Sequence, residues 1–448
     1  MIKITQLLLL AAMGVLCGCA NLQTVNSPIK HVDLNTGYRP LIHAGQKPLG
    51  RIWLTLAFSG GGTRAAAFAY GVLEELRETV IQVNGQPQRL LDEVDAISGV
   101  SGGSFPAAYY GLFGDRIFED FDDKFLNRNI QRDLFYQALL PWNLFRLMTP
   151  FYTRSMLALD LYNRKIFEDA TFADLAAANG PAIHINATDL SHGYRFTFNQ
   201  GQFDVICSDL DELSVATAVA ASSAVPVLLS PITLRNYAGT CGFEIPDWIE
   251  GSIQSPVGDR RRALAASSFT GFTNAEKRPY IHLLDGGIAD NLGLRFAIEI
   301  TSAAGGAEPL IEALGFTPPD EFIVVVVNAE TDPNPKIDLS SAAPSFASLM
   351  NAVSGSQIRR YNLETLLVAE ESLRQFGQSV AGAESEDVRS SLIEVSFDYL
   401  PEEDDRNYFK RLPTSFALDD QTVDRLRAAG RQLLRDNPDF QNLINRLD

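Results

Sequence analysis

Two segments of the chain carry the same pattern: an apolar strand, a glycine turn, then a helix. Residues 51–58, RIWLTLAF, are a continuous apolar run of strand formers, followed by Gly60, Gly61 and Gly62 and then by the helix-like TRAAAFAYGVLEEL. Residues 90–98, LLDEVDAIS, lead into Gly99-Val100-Ser101-Gly102-Gly103 and an apolar FPAAYYGLF that continues as a helix. A strand without polar alternation is buried on both faces, and successive strand–turn–helix units bury such strands in a parallel sheet. The expected fold is therefore α/β, a central and mostly parallel sheet with helices on both faces.

Further along, PAIHINATDL (181–190), GYRFTFN (193–199) and QFDVICS (202–208) predict three more strands. SVATAVAASSAVP (214–226) predicts a helix that stops before Pro226. PYIHLLD (279–285) and EFIVVVVN (321–328) predict buried parallel strands separated by a helix near 291–304. Residues 112–180, rich in Phe, Leu and Tyr and broken by Pro141 and Pro150, predict a helical insert. Its Trp142, Phe145 and Phe151 are candidates for the wall of a binding site or a lid, and ordinary core is the alternative. Residues 235–279 predict a surface excursion, the body spans 51–330, and 331–448 is expected to be a mainly helical region packed on it.

With 55 acidic against 37 basic residues and a net charge of −18, the chain lacks the basic face that nucleic acid requires. Bulk charge does not draw it to anionic lipid either. The N-terminus has a positive Lys3, an apolar stretch from Leu7 to Met13, and Leu16-Cys17-Gly18-Cys19, a secretory leader too short to span a bilayer. Its end resembles a bacterial lipobox. That resemblance implies a signal peptide over 1–18, diacylated Cys19 as the new N-terminus, a polar tether to about residue 50, and, with Ala20 following, the outer membrane of a Gram-negative envelope. Of the four cysteines, Cys207 and Cys241 then remain, as a possible disulfide or as two buried thiols. The five histidines are too scattered to form a metal site, and no cofactor motif is present.

Ser101 lies between glycines where a strand meets a helix. A serine hydroxyl reacts only when held exposed beside a base, and a sharp turn that does so needs small neighbours, which Gly99 and Gly103 provide. A glycine turn with an incidental serine has the same sequence. Ser59-Gly60-Gly61-Gly62-Thr63-Arg64 ends the first strand and could present bare N–H groups to an oxyanion. It lacks the Gly-Lys-Ser/Thr ending of a phosphate loop and the dinucleotide spacing. Asp285-Gly286-Gly287 ends another strand, and no histidine follows His282, so the proton acceptor for Ser101 is read as Asp285 alone.

SGGGTRA at 59–65, GVSGG at 99–103 and DGG at 285–287, in this order and with ASSAVP at 221–226, resemble the patatin-like phospholipase family. The resemblance covers about residues 51–330 and departs from the family pattern at Ser59, where Asp is common, and at Ala65, in place of glycine. It implies Ser101 as nucleophile, Asp285 as proton acceptor, Gly60, Gly61 and Gly62 as oxyanion donors, and Arg64 as a brace or a local charge. The implied activity is hydrolysis of phospholipid or another lipid ester at a membrane surface, without metal or cofactor. An esterase or thioesterase acting on soluble substrates, and a catalytically silent envelope scaffold or binding protein, are the alternatives.

Overall fold

The computed structural model describes residues 24–40, 52–83, 85–149, 152–226, 228–254, 259–315, 319–332, 338–339, 341–381 and 389–447. The leader, Cys19 and Phe151 lie outside them.

Eight strands build the main sheet: β1 (Ile52–Phe58), β2 (Val94–Val100), β3 (Ala182–Asp189), β4 (Arg195–Thr197), β5 (Ile232–Arg235), β6 (Tyr280–Leu284), β7 (Glu321–Asn328) and β8 (Arg389–Ser396). Their spatial order is β8-β7-β1-β2-β3-β6-β5, with β4 paired to β3. The five strands from β8 to β3 run parallel. β1 and β7 are buried along nearly their whole length, as expected for strands covered on both faces.

The helices that matter here are α1 (Thr63–Glu78), α2 (Ser104–Phe113), α3 (Ile130–Leu139), α4 (Pro141–Leu147), α5 (Arg154–Lys165), α6 (Gln200–Val205), α7 (Val215–Ser222), α8 (Arg295–Ala304), α9 (Ala307–Leu314), α10 (Phe346–Ala381) and α11 (Asp420–Arg435). On one face of the sheet Leu54, Leu56, Phe58, Ile97, Ile185 and Val325 join the large core with α1, α2, α7 and α11. On the other face Trp53, Ala57, Phe322 and Val326 pack under α8, α9 and α10. The sheet is thus mostly parallel, with helices on both faces.

Several local expectations are corrected. β6 runs antiparallel to both β3 and β5. Residues 202–208 do not form a strand. The Asn199 side chain accepts from Gln202 N at 2.9 Å and starts α6, leaving only Ser208–Asp209 extended. The region beyond residue 330 is not only helical, because β8 pairs with β7 along eight residues. α11 docks on α1 through Arg427–Glu74 at 2.7 Å and Arg435–Glu75 at 2.5 Å. Part of the expected tether is also docked on the body. Ser27–Pro28 pairs with Ser208–Asp209, Arg39 meets Asp204 at 2.7 Å, and the Tyr38 hydroxyl donates to Ile183 O and accepts from Ile183 N.

Cys207 and Cys241 are joined by a disulfide with 5.5 Å between their Cα atoms. Closing a loop with a sequence separation of 34 stabilises the fold by roughly 4 kcal/mol on the chain-entropy account. It ties the end of α6 to the first turns of the excursion, which continues as helices Asp247–Gln254 and Arg260–Thr270.

Candidate active site

β2 ends at Val100, and the next residue, Ser101, adopts φ 49° before a single helical turn leads into α2. A non-glycine residue in the left-handed region is strained and persists only where its surroundings hold it. Here Ser101 N donates to Ser222 Oγ at 2.8 Å, the Ser222 hydroxyl donates to Asn186 O at 2.6 Å, and Ser104 Oγ donates to Ser101 O at 2.5 Å. The flanking glycines are required by contact. A Cβ on Gly102 would lie 2.1 Å from Gly62 O, one on Gly103 2.6 Å from Phe58 O, and one on Gly99 2.7 Å from Ser104 Cα.

Asp285 reaches Ser101 through strand register. Val100 pairs with Asn186 on one side of β3, and Leu284 pairs with Thr188 on the other. Because β6 is antiparallel, the next residue of each strand falls level with Ala187. Ser101 Oγ donates to Asp285 Oδ2 at 2.7 Å, and Gly287 N donates to Oδ1 at 2.8 Å. Thr188 Oγ1 donates to Asp285 O at 2.8 Å, while Asp285 N and Gly286 N donate to Ala224 O and Ser222 O. Burial pushes the Asp285 carboxyl up to about 6, and the hydrogen bonds from Ser101 and Gly287 pull it back only in part. Ser101 is 3% and Asp285 9% exposed, so the pair lies in a dry setting.

The glycine loop leans directly on the elbow. Gly62 has φ 62° and would meet Ser415 O at 2.4 Å if it carried a Cβ. Ser415 O in turn accepts from Thr63 N at 2.8 Å. Gly60, expected as an oxyanion donor, gives its N–H to Asn291 O at 3.0 Å, so this group is already engaged. Among the described residues, the N–H groups of Gly61 and Gly62 donate to no protein acceptor. Arg64 is buried and acts as the brace: Nε donates to Ala329 O at 3.0 Å and an Nη to Leu412 O at 2.8 Å. With no carboxylate partner among the described residues, burial pulls its guanidinium down to about 10. At the departure from the family pattern, Ser59 Oγ accepts from Ala329 N at 2.9 Å and fixes the loop to the end of β7.

No histidine among the described residues hydrogen-bonds to Ser101 or Asp285. His282 Nδ1 meets Thr233 Oγ1 at 2.9 Å, and His192 Nδ1 meets Asp189 at 3.3 Å. His184 is buried against Phe296, its ring nitrogens lack partners, and burial, helped by Arg195, pulls its imidazole down to about 3. It faces an apolar cavity of about 180 Å³ between the sheet and α8 to α10. No group of three or more His, Cys, Asp or Glu that could hold a metal occurs among the described residues. The motifs pointed to Ser101, Asp285, Arg64 and the glycines, but not to Ser222, Asn186, Asn291 or Ser415. Ser222 lies inside the ASSAVP block, which is the one trace of this second layer in the sequence.

The patatin-like phospholipase family matches residues 56–298, which contain the glycine loop, the elbow and Asp285. The chain belongs to the patatin-like phospholipase family. Membership places it among lipid ester hydrolases. The solved structure of human GIVD cytosolic phospholipase A2 is similar over 93% of this chain and 69% of its own, at 13% identity and a TM-score of 0.35. No curated protein matches the chain.

Proposed function

We propose that this family member is a lipid acyl hydrolase that cleaves carboxylic ester bonds of phospholipid through Ser101 and Asp285. The observation that carries the reading is the 2.7 Å hydrogen bond from Ser101 Oγ to a buried carboxylate whose proton affinity is raised to about 6. Ser101 Oγ attacks the ester carbonyl carbon while its proton passes to Asp285 Oδ2. The tetrahedral oxyanion lies against the unengaged N–H groups of Gly61 and Gly62, at the start of α1 where the helix dipole favours negative charge. The C–O bond to the leaving alcohol breaks as that oxygen takes the proton from Asp285. Water then attacks the acyl-enzyme and gives a proton to Asp285, and Ser101 recovers it as the fatty acid leaves.

An ordinary aspartate is too weak a base for this task, and desolvation brings Asp285 closer to working pH while the Gly287 N–H holds one oxygen and leaves the other for Ser101. In the same proposal, lipid on Cys19 holds the mature chain at an envelope membrane, the outer membrane of a Gram-negative cell, and so concentrates it at its substrate. The test is labelling by a fluorophosphonate and release of fatty acid from mixed phospholipid micelles. Both should vanish together in Ser101→Ala and Asp285→Asn chains that remain folded by circular dichroism. Release that survives Ser101→Ala would overturn the reading. Radiolabelled palmitate should be incorporated by the wild-type chain and not by Cys19→Ser.

A further inference from the structure

α3 and α4 form a hairpin with almost nothing inside it. α4 has no buried residue and α3 has only Ile130. Eight of the twenty-four large apolar side chains exposed among the described residues fall between positions 135 and 148, with Met148 at 80% and Trp142 at 70%. Ile130 and Leu134 hold α3 to the core, and the opposite side of the hairpin is apolar as well. Phe135, Leu139, Trp142 and Phe145 face outward, while Gln137, Asn143 and Arg146 are half-buried. Two of the inward polar groups are paired there: Asn143 Nδ2 donates to the Gln137 main-chain O at 3.0 Å, and Arg146 sits over the Tyr152 ring and meets Asp160 at 3.3 Å, while Gln137 Oε1 is buried without a partner among the described residues. An apolar face of this size left outside the core marks a surface that meets apolar surroundings.

Charge and position narrow the choice of surroundings. Residues 127–154 contain four arginines and one aspartate in a chain of net −18; Arg128 pairs with Asp133 and Arg146 with Asp160, and Arg132 stands exposed beside the aromatic side chains. The hairpin is also joined to the site at both ends. Ile130 N donates to Phe416 O at 3.1 Å, and the adjacent Ser415 O holds Thr63 at the glycine loop. Beyond α4, α5 packs on α7, whose Ser222 holds the amide of Ser101. We propose that the α3–α4 hairpin is a docking element that inserts Trp142, Phe145 and Met148 into the interface of an anionic phospholipid bilayer and so sets the mouth of the site against its substrate surface. Aromatic and long apolar side chains settle at the acyl boundary, and the exposed Arg132 beside them meets anionic headgroups. The inference rests on the hydrolase reading for what the membrane supplies, but docking itself is measured without catalysis.

The experiment uses the full chain carrying Ser101→Ala, so that lipid is not consumed, with vesicles of phosphatidylcholine and phosphatidylglycerol that contain brominated acyl chains. Tryptophan emission should be quenched on mixing, and Trp142→Phe should remove that quenching. Vesicles of phosphatidylcholine alone should bind about tenfold less chain, and equal binding would overturn the anionic part of the proposal. In the active chain, Phe145→Asp should lower hydrolysis of vesicle phospholipid about tenfold or more and leave hydrolysis of a soluble short-chain ester unchanged. Loss of both activities in a folded Phe145→Asp chain would make the hairpin part of the catalytic structure and overturn docking. Absence of Trp142 quenching, or a dimer broken by Phe145→Asp while vesicle hydrolysis persists, would overturn it in favour of a protein partner. Activity that survives Ser101→Ala would count against the hydrolase reading without touching docking.

Discussion

The seam around Ser101 and the α3–α4 hairpin are opposite solutions within one fold. In the seam, main chain lies on main chain: Gly102 against Gly62, Gly103 against Phe58 and Ser59, Gly62 against Ser415. In the hairpin, Phe135, Trp142, Phe145 and Met148 are exposed and lie outside the core. On the proposed reading, the reacting geometry is set where no side chain can be added, and docking where side chains stand clear of the core. A loss of that contrast under mutation would mean that the two regions are not separable.

The largest expected effect is at the reacting atoms. Ser101→Ala and Asp285→Asn should each lower ester hydrolysis at least about 10³-fold, read as initial rates of fatty acid release. Next comes the seam itself. Gly102→Ala places a methyl 2.1 Å from Gly62 O, so a chain that still folds should lose about 10²-fold in kcat as the oxyanion loop is displaced. A kcat for Gly102→Ala near that of wild type would break the claim that backbone contact sets the site.

Asp285 predicts a pH profile. As the base it must be ionised, so kcat/KM should fall about tenfold per pH unit below its value of about 6 and level off above it. The stability sign runs the other way. Its folded value is raised from 3.8, so the native chain binds more protons than the unfolded one between about 4 and 6. The contribution is fully present below the unfolded value and is lost as pH rises through the folded one. Asp285→Asn should therefore raise Tm more at pH 8 than at pH 4, measured by thermal melts.

Ser222→Ala leaves Ser101 N without its acceptor and should cost about tenfold in kcat with little change in KM. At the far end of the scale, Phe145→Ser should change stability by no more than about 0.5 kcal/mol in a denaturant titration, because that side chain is 62% exposed. A larger loss would show that the hairpin has a packing role and would weaken the contrast.

The parts of the fold that were legible in sequence are those that leave a local trace. β1 and β2 are long apolar runs ended by glycine, and the elbow, the glycine loop and Asp285-Gly286-Gly287 lie at strand ends. The direction of β6 left no trace, since five strand-forming residues read the same in either sense. Residues 202–208 misled because QFDVICS alternates like a strand, and only the Asn199 cap turns its start into a helix. β8 was missed because RSSLIEVS alternates on a half-covered edge strand and has little net apolar character. Ser415 and Asn291 act on the glycine loop through main-chain oxygens, which any residue type supplies, so their positions could not be read from identity. The hairpin's aromatics were visible, but their exposure was not, because apolar spacing does not say which way a helix turns.

The contact between Ser415 and Gly62 also has a consequence in time. A chain emerges from synthesis N-terminus first, and it carries Ser101, Asp285 and the whole glycine sequence long before residue 415 exists. The strap that seats Gly62 and the brace from Arg64 to Leu412 arrive only with residues 412–415, long after Asp285. A fragment that stops before Leu412 would hold every signature residue and still lack both contacts that seat the glycine loop.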